Sequence, residues 1–108
     1  MDLVFKWDPR KDQANLEKHR VTFSEATSVF GDPLARIFAD EDHSTDEQRE
    51  IIIGHWQAKR LLPVCFTERG QGWVRIIRAR RATRKEQHDY EEYTTPRGEN
   101  EQIQRTSA

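Results

Sequence analysis

Between positions 67 and 85 the chain sets seven cations, Arg69, Arg75, Arg78, Arg80, Arg81, Arg84 and Lys85, against a single acid, Glu68. A guanidinium group presents a planar fork of donors that matches phosphate oxygens, so such a run is suited to a phosphodiester. Cleaving RNA without a metal needs a base for the 2′-hydroxyl, an acid for the leaving oxygen and positive charge for the crowded phosphorane. Arg69, Arg75, Arg80 and Arg81 fit the last requirement. Glu68 is the first candidate base, and His55, at the end of a neighbouring apolar run, is the second. Arg75, Arg78, Arg84 and Lys85 read as contacts to an RNA backbone, with Trp73, Trp56 or Trp7 for base stacking where exposed.

Plainer readings stand beside these. A charge run is usually a solvated face, Glu68 can merely neutralise its neighbours, and a lone histidine at a strand end can be polar surface. Tryptophans in a chain with few apolar groups are usually core. A calcium loop is suggested by Asp40, Asp42, Ser44 and Asp46, but Thr45 stands where the glycine belongs and Ile51 where the glutamate belongs. Neither Cys nor His recurs at zinc spacing, so no metal and no cofactor are expected. The 40–49 stretch reads as a solvated hairpin loop open to a partner.

Bulk composition sets the frame. With 108 residues there is room for one domain and one core, and with 34% apolar and 34% charged residues that core must be thin. Burying a further face against a partner would therefore add stability. Net charge is −1, but it is unevenly spread: six acids against Arg49 in 39–50, and six acids against Arg97 in 86–102, flank the basic run. The single cysteine, Cys65, lies in an apolar run and reads as a packed thiol in a reducing cytoplasm. No signal peptide or membrane-spanning stretch is expected.

The elements that must position these residues follow from local signals. Residues 5–7 form a short strand; Asp8-Pro9 caps a first helix running to about His19, poor in apolar groups. Thr22 and Glu25 have the spacing of a capping box for a short second helix stopped by Gly31-Asp32-Pro33. Four strands over 34–39, 50–56, 61–66 and 73–82 are joined by connections short enough for antiparallel hairpins. Pro63 suggests an edge position or a bulge. On the last strand simple alternation sends Arg75 and Arg81 one way and Arg78 and Arg80 the other. A final helix starts at Thr83, again with Glu86 three residues on, and turns Tyr90 and Tyr93 inward. Residues 1–95 form an α+β domain, its helices packed against an antiparallel sheet, and 96–108 a disordered polar tail.

Three blocks together resemble the BrnT family of toxins: Phe5-Lys6-Trp7-Asp8 with Asn15-Leu16-Glu17-Lys18-His19; 23–33 with Asp40-Glu41-Asp42-His43-Ser44; and Thr67-Glu68-Arg69 with Arg75-Ile76-Ile77 and Ala79-Arg80-Arg81-Ala82-Thr83. The resemblance implies a RelE-like fold, cleavage of cellular RNA that arrests growth, and neutralisation by a BrnA-like antitoxin that alone reads operator DNA. Two residues depart from the family pattern: Arg20, where glycine is common after the first helix, and Arg78, where a small residue is frequent. The alternative is a non-catalytic module that holds RNA or DNA phosphates, or docks on an acidic protein.

Overall fold

The computed structural model describes residues 3–43, 47–56 and 60–94. The elements are β1 (Val4–Lys6), α1 (Pro9–His19), α2 (Phe23–Ala26) continued by a 3-10 turn (Thr27–Gly31), β2 (Arg36–Ala39), a 3-10 turn (Glu41–His43), β3 (Glu50–His55), β4 (Leu61–Glu68), β5 (Trp73–Ala79) and α3 (Arg84–Thr94). The α+β class is as expected. The expected tail lies outside the described residues.

Local chemistry sets the helix ends. Asp8 accepts from the Arg10 N–H at 2.9 Å and Pro9 follows it. Both capping boxes form: Thr22 exchanges bonds with Glu25 at 3.0 and 2.9 Å, and Thr83 with Glu86 at 3.1 and 2.8 Å. Arg20 ends α1 in the left-handed region at φ 62°, where a side chain is strained and glycine is not.

One sheet runs β1-β5-β4-β3-β2, with β2 through β5 antiparallel and β1 parallel to β5 at the edge. The parallel edge strand departs from the purely antiparallel sheet anticipated. α1 continues along the β5 edge from Lys11, in the cleft with Arg75, to Asn15 beside Ala79, and α2 with its turn then crosses the sheet to Asp32 beside His55, where β2 begins. Pro63 sits inside β4, the central strand, and not at an edge. Its carbonyl accepts from the Arg80 N–H at 3.3 Å, so its nitrogen faces the end of β5, beyond the last pair, Val64 with Ala79. The missing donor thins the pairing only locally, because the Ala82 N–H still reaches the Leu61 carbonyl at 3.0 Å.

α1, α2 and the following turn cover one face. Val21, Phe23, Ala26 and Val29 meet Ile52, Leu62, Val64, Phe66, Val74, Ile76 and Ala79 there, with Phe30 edge-on to both Phe5 and Phe66 at 5.0 Å. The buried residue of α1 is Asn15. Its amide donates to the Val21 carbonyl at 2.8 Å and its carbonyl accepts from the Ala79 N–H at 3.1 Å. β1 pairs with β5 only from Trp73 to Arg75, so Asn15 satisfies the exposed edge further along.

Asn15→Ala removes both buried bonds and should lower stability by about 2–4 kcal/mol, read as a fall in the urea midpoint. Arg20→Gly relieves the left-handed turn and should raise stability by about 1 kcal/mol in the same measurement.

Candidate active site

The β4–β5 ladder slips by one residue. Cys65 pairs with Arg78 but Phe66 pairs with Ile76, leaving Ile77 as the extra residue of a β-bulge. Strict alternation fails at that point, which corrects the two-way division of arginines anticipated from the strand. Arg75 lies opposite Thr67, Arg78 opposite Cys65, and Arg80 reaches Pro63, and these three residues of β4 share a face. Arg75, Arg78 and Arg80 therefore share it too. Register adds Arg36, opposite Ile53, and Arg49, whose carbonyl takes the Asp40 N–H at 2.9 Å. Five guanidinium groups from three parts of the chain thus gather on the face that α1 and α2 leave uncovered.

Acids answer them selectively. Asp40, buried, holds Arg78 at 3.3 Å and takes a hydrogen bond from the Cys65 thiol at 3.6 Å. Burial pushes the Cys65 thiol up, away from the reactive thiolate, consistent with a packed core group. Glu47 lies between Arg69 at 3.0 Å and Arg49 at 3.4 Å. Glu86 takes both terminal nitrogens of Arg80 at 2.9 Å, and Arg80 also donates to the Arg81 carbonyl. The hydrogen bonds from Arg80 outweigh burial and hold Glu86 down at about 2; the same bonds raise Arg80. Arg75 is exposed and makes no ion pair among the described residues.

Where β1 turns away from β5 a cleft of about 420 Å³ opens. Lys6, Lys11, Arg49 and Arg75 line it with Trp7, Trp73, Asp8 and Glu47, and the Lys6 ammonium sits 4.4 Å from the centre of the Trp73 ring. The volume suits a nucleotide unit, and the lining combines cations, indole surface and carboxylates. No group of three or more metal-ligating side chains occurs among the described residues.

At the other end of the sheet a second polar cluster forms. Asp32 accepts the His55 backbone N–H at 2.7 Å and lies 3.5 Å from its Nδ1, while the Tyr90 hydroxyl sits 3.2 Å from the same oxygen and 3.1 Å from the Leu34 carbonyl. Burial pushes Asp32 up, but these donors outweigh it and its carboxyl ends below the ordinary range. Burial, then the Asp32 charge, pushes Tyr90 up to about 12.

The structure thus separates the residues that the sequence set together. Arg69, Trp73 and Arg75 belong to the cleft end. His55, Arg80, Arg81, Arg84 and Lys85 belong to the α3 end, with Arg78 between. The length of β4 holds Glu68 about 23 Å from Leu61, the partner of His55. Glu68 pairs with Val74, a residue of the helix-covered face, so it also points away from Arg75. Arg81 and Arg84 are exposed, and Lys85 pairs with Asp89 at 2.9 Å. Sequence reading passed over Glu47, Arg49, Lys6 and Lys11 as site residues. Only Lys6 lay in a family-like block; Glu47 and Arg49 lay in the 40–49 stretch read as a solvated loop open to a partner.

Comparison with known proteins decides the family. Residues 7–86, more than half of the chain, match the model described as ribonuclease toxin, BrnT, of type II toxin-antitoxin system. The chain belongs to the BrnT family. The fold agrees: a crystal structure of the Brucella abortus ribonuclease toxin BrnT superposes with a TM-score of 0.59 at 25% identity, covering 78% of this chain and 99% of that one. Among curated proteins, none matches the sequence. The BrnT match runs from Trp7 to Glu86, from the floor of the cleft to the acid that clamps Arg80. No described helix is long and apolar enough to cross a membrane.

The Arg80–Glu86 clamp has a pH signature. Glu86 titrates at about 2 in the folded chain against an ordinary 4.5, so its stabilisation is complete above 4.5 and fades as pH falls toward 2. Glu86→Gln should lower the urea midpoint at neutral pH and flatten its decline between those two values. An equally steep decline in the variant would show that other carboxylates govern acid unfolding.

Proposed function

We propose that the cleft between β1 and β5 is the catalytic centre of a metal-independent endoribonuclease. The observation that carries this reading is Arg75: an exposed guanidinium that makes no ion pair among the described residues and lines a nucleotide-sized cleft together with Glu47. Arg75 and Arg49 stabilise charge on the phosphorane. Glu47 takes the proton from the 2′-hydroxyl, whose oxygen attacks the adjacent phosphorus. A cleft lysine, Lys6 or Lys11, returns a proton to the departing 5′-oxygen, leaving a 2′,3′-cyclic phosphate and a 5′-hydroxyl. Trp7 and Trp73 offer indole surface to a base. Arg69 steadies Glu47, whereas Arg80 is held by Glu86 and supports the fold. Arg78, Arg81 and Arg84 extend the cationic path for flanking phosphates.

In this reading the substrate is cellular RNA in the cytoplasm, and a BrnA-like antitoxin neutralises the enzyme and alone contacts operator DNA. Family membership supports the reading, as does a face on which protein cations supply the charge that a metal supplies elsewhere.

Purified chain should cleave an RNA oligonucleotide in excess chelator. Arg75→Ala and Glu47→Gln should each slow the reaction by about 100-fold or more, with unchanged urea midpoints. Glu68→Gln should cleave at the wild-type rate. Full activity in the first two variants, or loss of wild-type cleavage on adding chelator, overturns the assignment. Salt-sensitive binding of RNA that stays intact would favour the non-catalytic alternative.

A further inference from the structure

β2 closes one side of the sheet, and among the described residues no strand pairs with its outer edge. Asp40 donates to Arg49 across to β3, so by the alternation of an antiparallel ladder Ile37 and Ala39 aim their N–H and C=O groups outward. Soluble proteins usually protect such an edge with charges, proline or a bulge. Here the outer positions are an isoleucine and an alanine. Leu34, Ile37 and Phe38 are 56%, 56% and 51% exposed, three of the five large apolar side chains left exposed among the described residues.

Phe38 also lines a groove of about 350 Å³ between α3 and the sheet, with Ile51, Ile53, Pro63 and Tyr90 as its apolar wall, Arg36 and the Arg80–Glu86 pair among its polar lining, and Asp89 on the α3 side. The groove opens on the arginine-bearing face. A free edge, an apolar slot beside it and cations beyond call for one kind of occupant: an extended protein segment with apolar side chains next to acidic ones. RNA gains little from an aliphatic wall. A second copy of this chain paired edge to edge would set two cationic faces side by side.

We propose that the antitoxin docks here, an extended segment of it adding a strand to β2 and seating an apolar side chain against Phe38 in the groove. Acidic side chains of that segment reach the arginines of the same face and exclude the RNA backbone from them. The proposal rests on the toxin reading above for its partner, and not on the cleavage chemistry.

The test uses full-length chain and, as probe, the protein encoded by the open reading frame adjoining its gene. Ala39→Pro removes an outward N–H that the fold does not use, and Phe38→Asp places a charge in the groove. Each should weaken probe binding more than 100-fold while RNA cleavage and the urea midpoint stay at wild-type values. In the wild-type complex, the Ile37 and Ala39 amides should gain protection from deuterium exchange. Unchanged probe affinity in both variants overturns the proposal, as does failure of the wild type to bind the probe. A wild-type dimer in sedimentation that Ala39→Pro dissolves gives the edge to a second copy. Lost RNA affinity with probe affinity intact gives the groove to RNA; either result overturns the proposal. Should the wild type bind the probe through β2 yet leave RNA intact, the docking stands and the ribonuclease mechanism falls.

Discussion

One extra residue in β5 sets the electrostatics of the molecule. With Ile77 inserted between two regular stretches of ladder, Arg75 and Arg78 fall on the same side instead of opposite sides. Without the bulge, Arg78 would point into the face packed by α1 and α2, among Val64 and Ile76, where an unpaired guanidinium is costly. With it, the helix side stays apolar and the second side becomes cationic. Bringing like charges together works against folding, and the fold limits this with Asp40, Glu47 and Glu86 placed among the arginines. Among the described residues the compensation is incomplete at Arg75, and a polyanion would complete it.

Much of the architecture was legible because it rests on short-range chemistry. Asp8-Pro9, Thr22 with Glu25 and Thr83 with Glu86 announce helix starts within four residues, and each forms as read. Apolar runs located all four meander strands to within a few residues. What the chain did not show locally was register. Pro63 hinted at an edge or a bulge without deciding between them, and neither its internal place, nor Ile77 as the extra residue on the neighbouring strand, nor the shared face of Arg75 and Arg78 could be read. Residues close in sequence also proved distant in space. A basic run that looks like one cluster spans the long dimension of a sheet, so Glu68 and Arg80 stand at opposite ends of β4.

The reverse also holds. Lys6, Lys11, Glu47 and Arg75 come from three separate stretches, brought together by the pairing of β1 with β5 and by the hydrogen bond from the Thr67 hydroxyl to the Gln48 carbonyl. Arg80 shows that residue type alone does not reveal use. Its fork is as suited to a carboxylate as to phosphate, and a glutamate three residues into the capping box reaches it first.

The attachment of α3 carries a dynamic consequence. Its buried footing is a small cluster of its own, Ile53, Leu61, Ala82 and Tyr90, apart from the main core. So small an apolar footing leaves α3 dependent on polar ties, the Arg80–Glu86 pair and the Tyr90 hydroxyl on Asp32 and the Leu34 carbonyl. Weakening those ties should therefore expose the α3 amides to exchange before those of the five-stranded sheet.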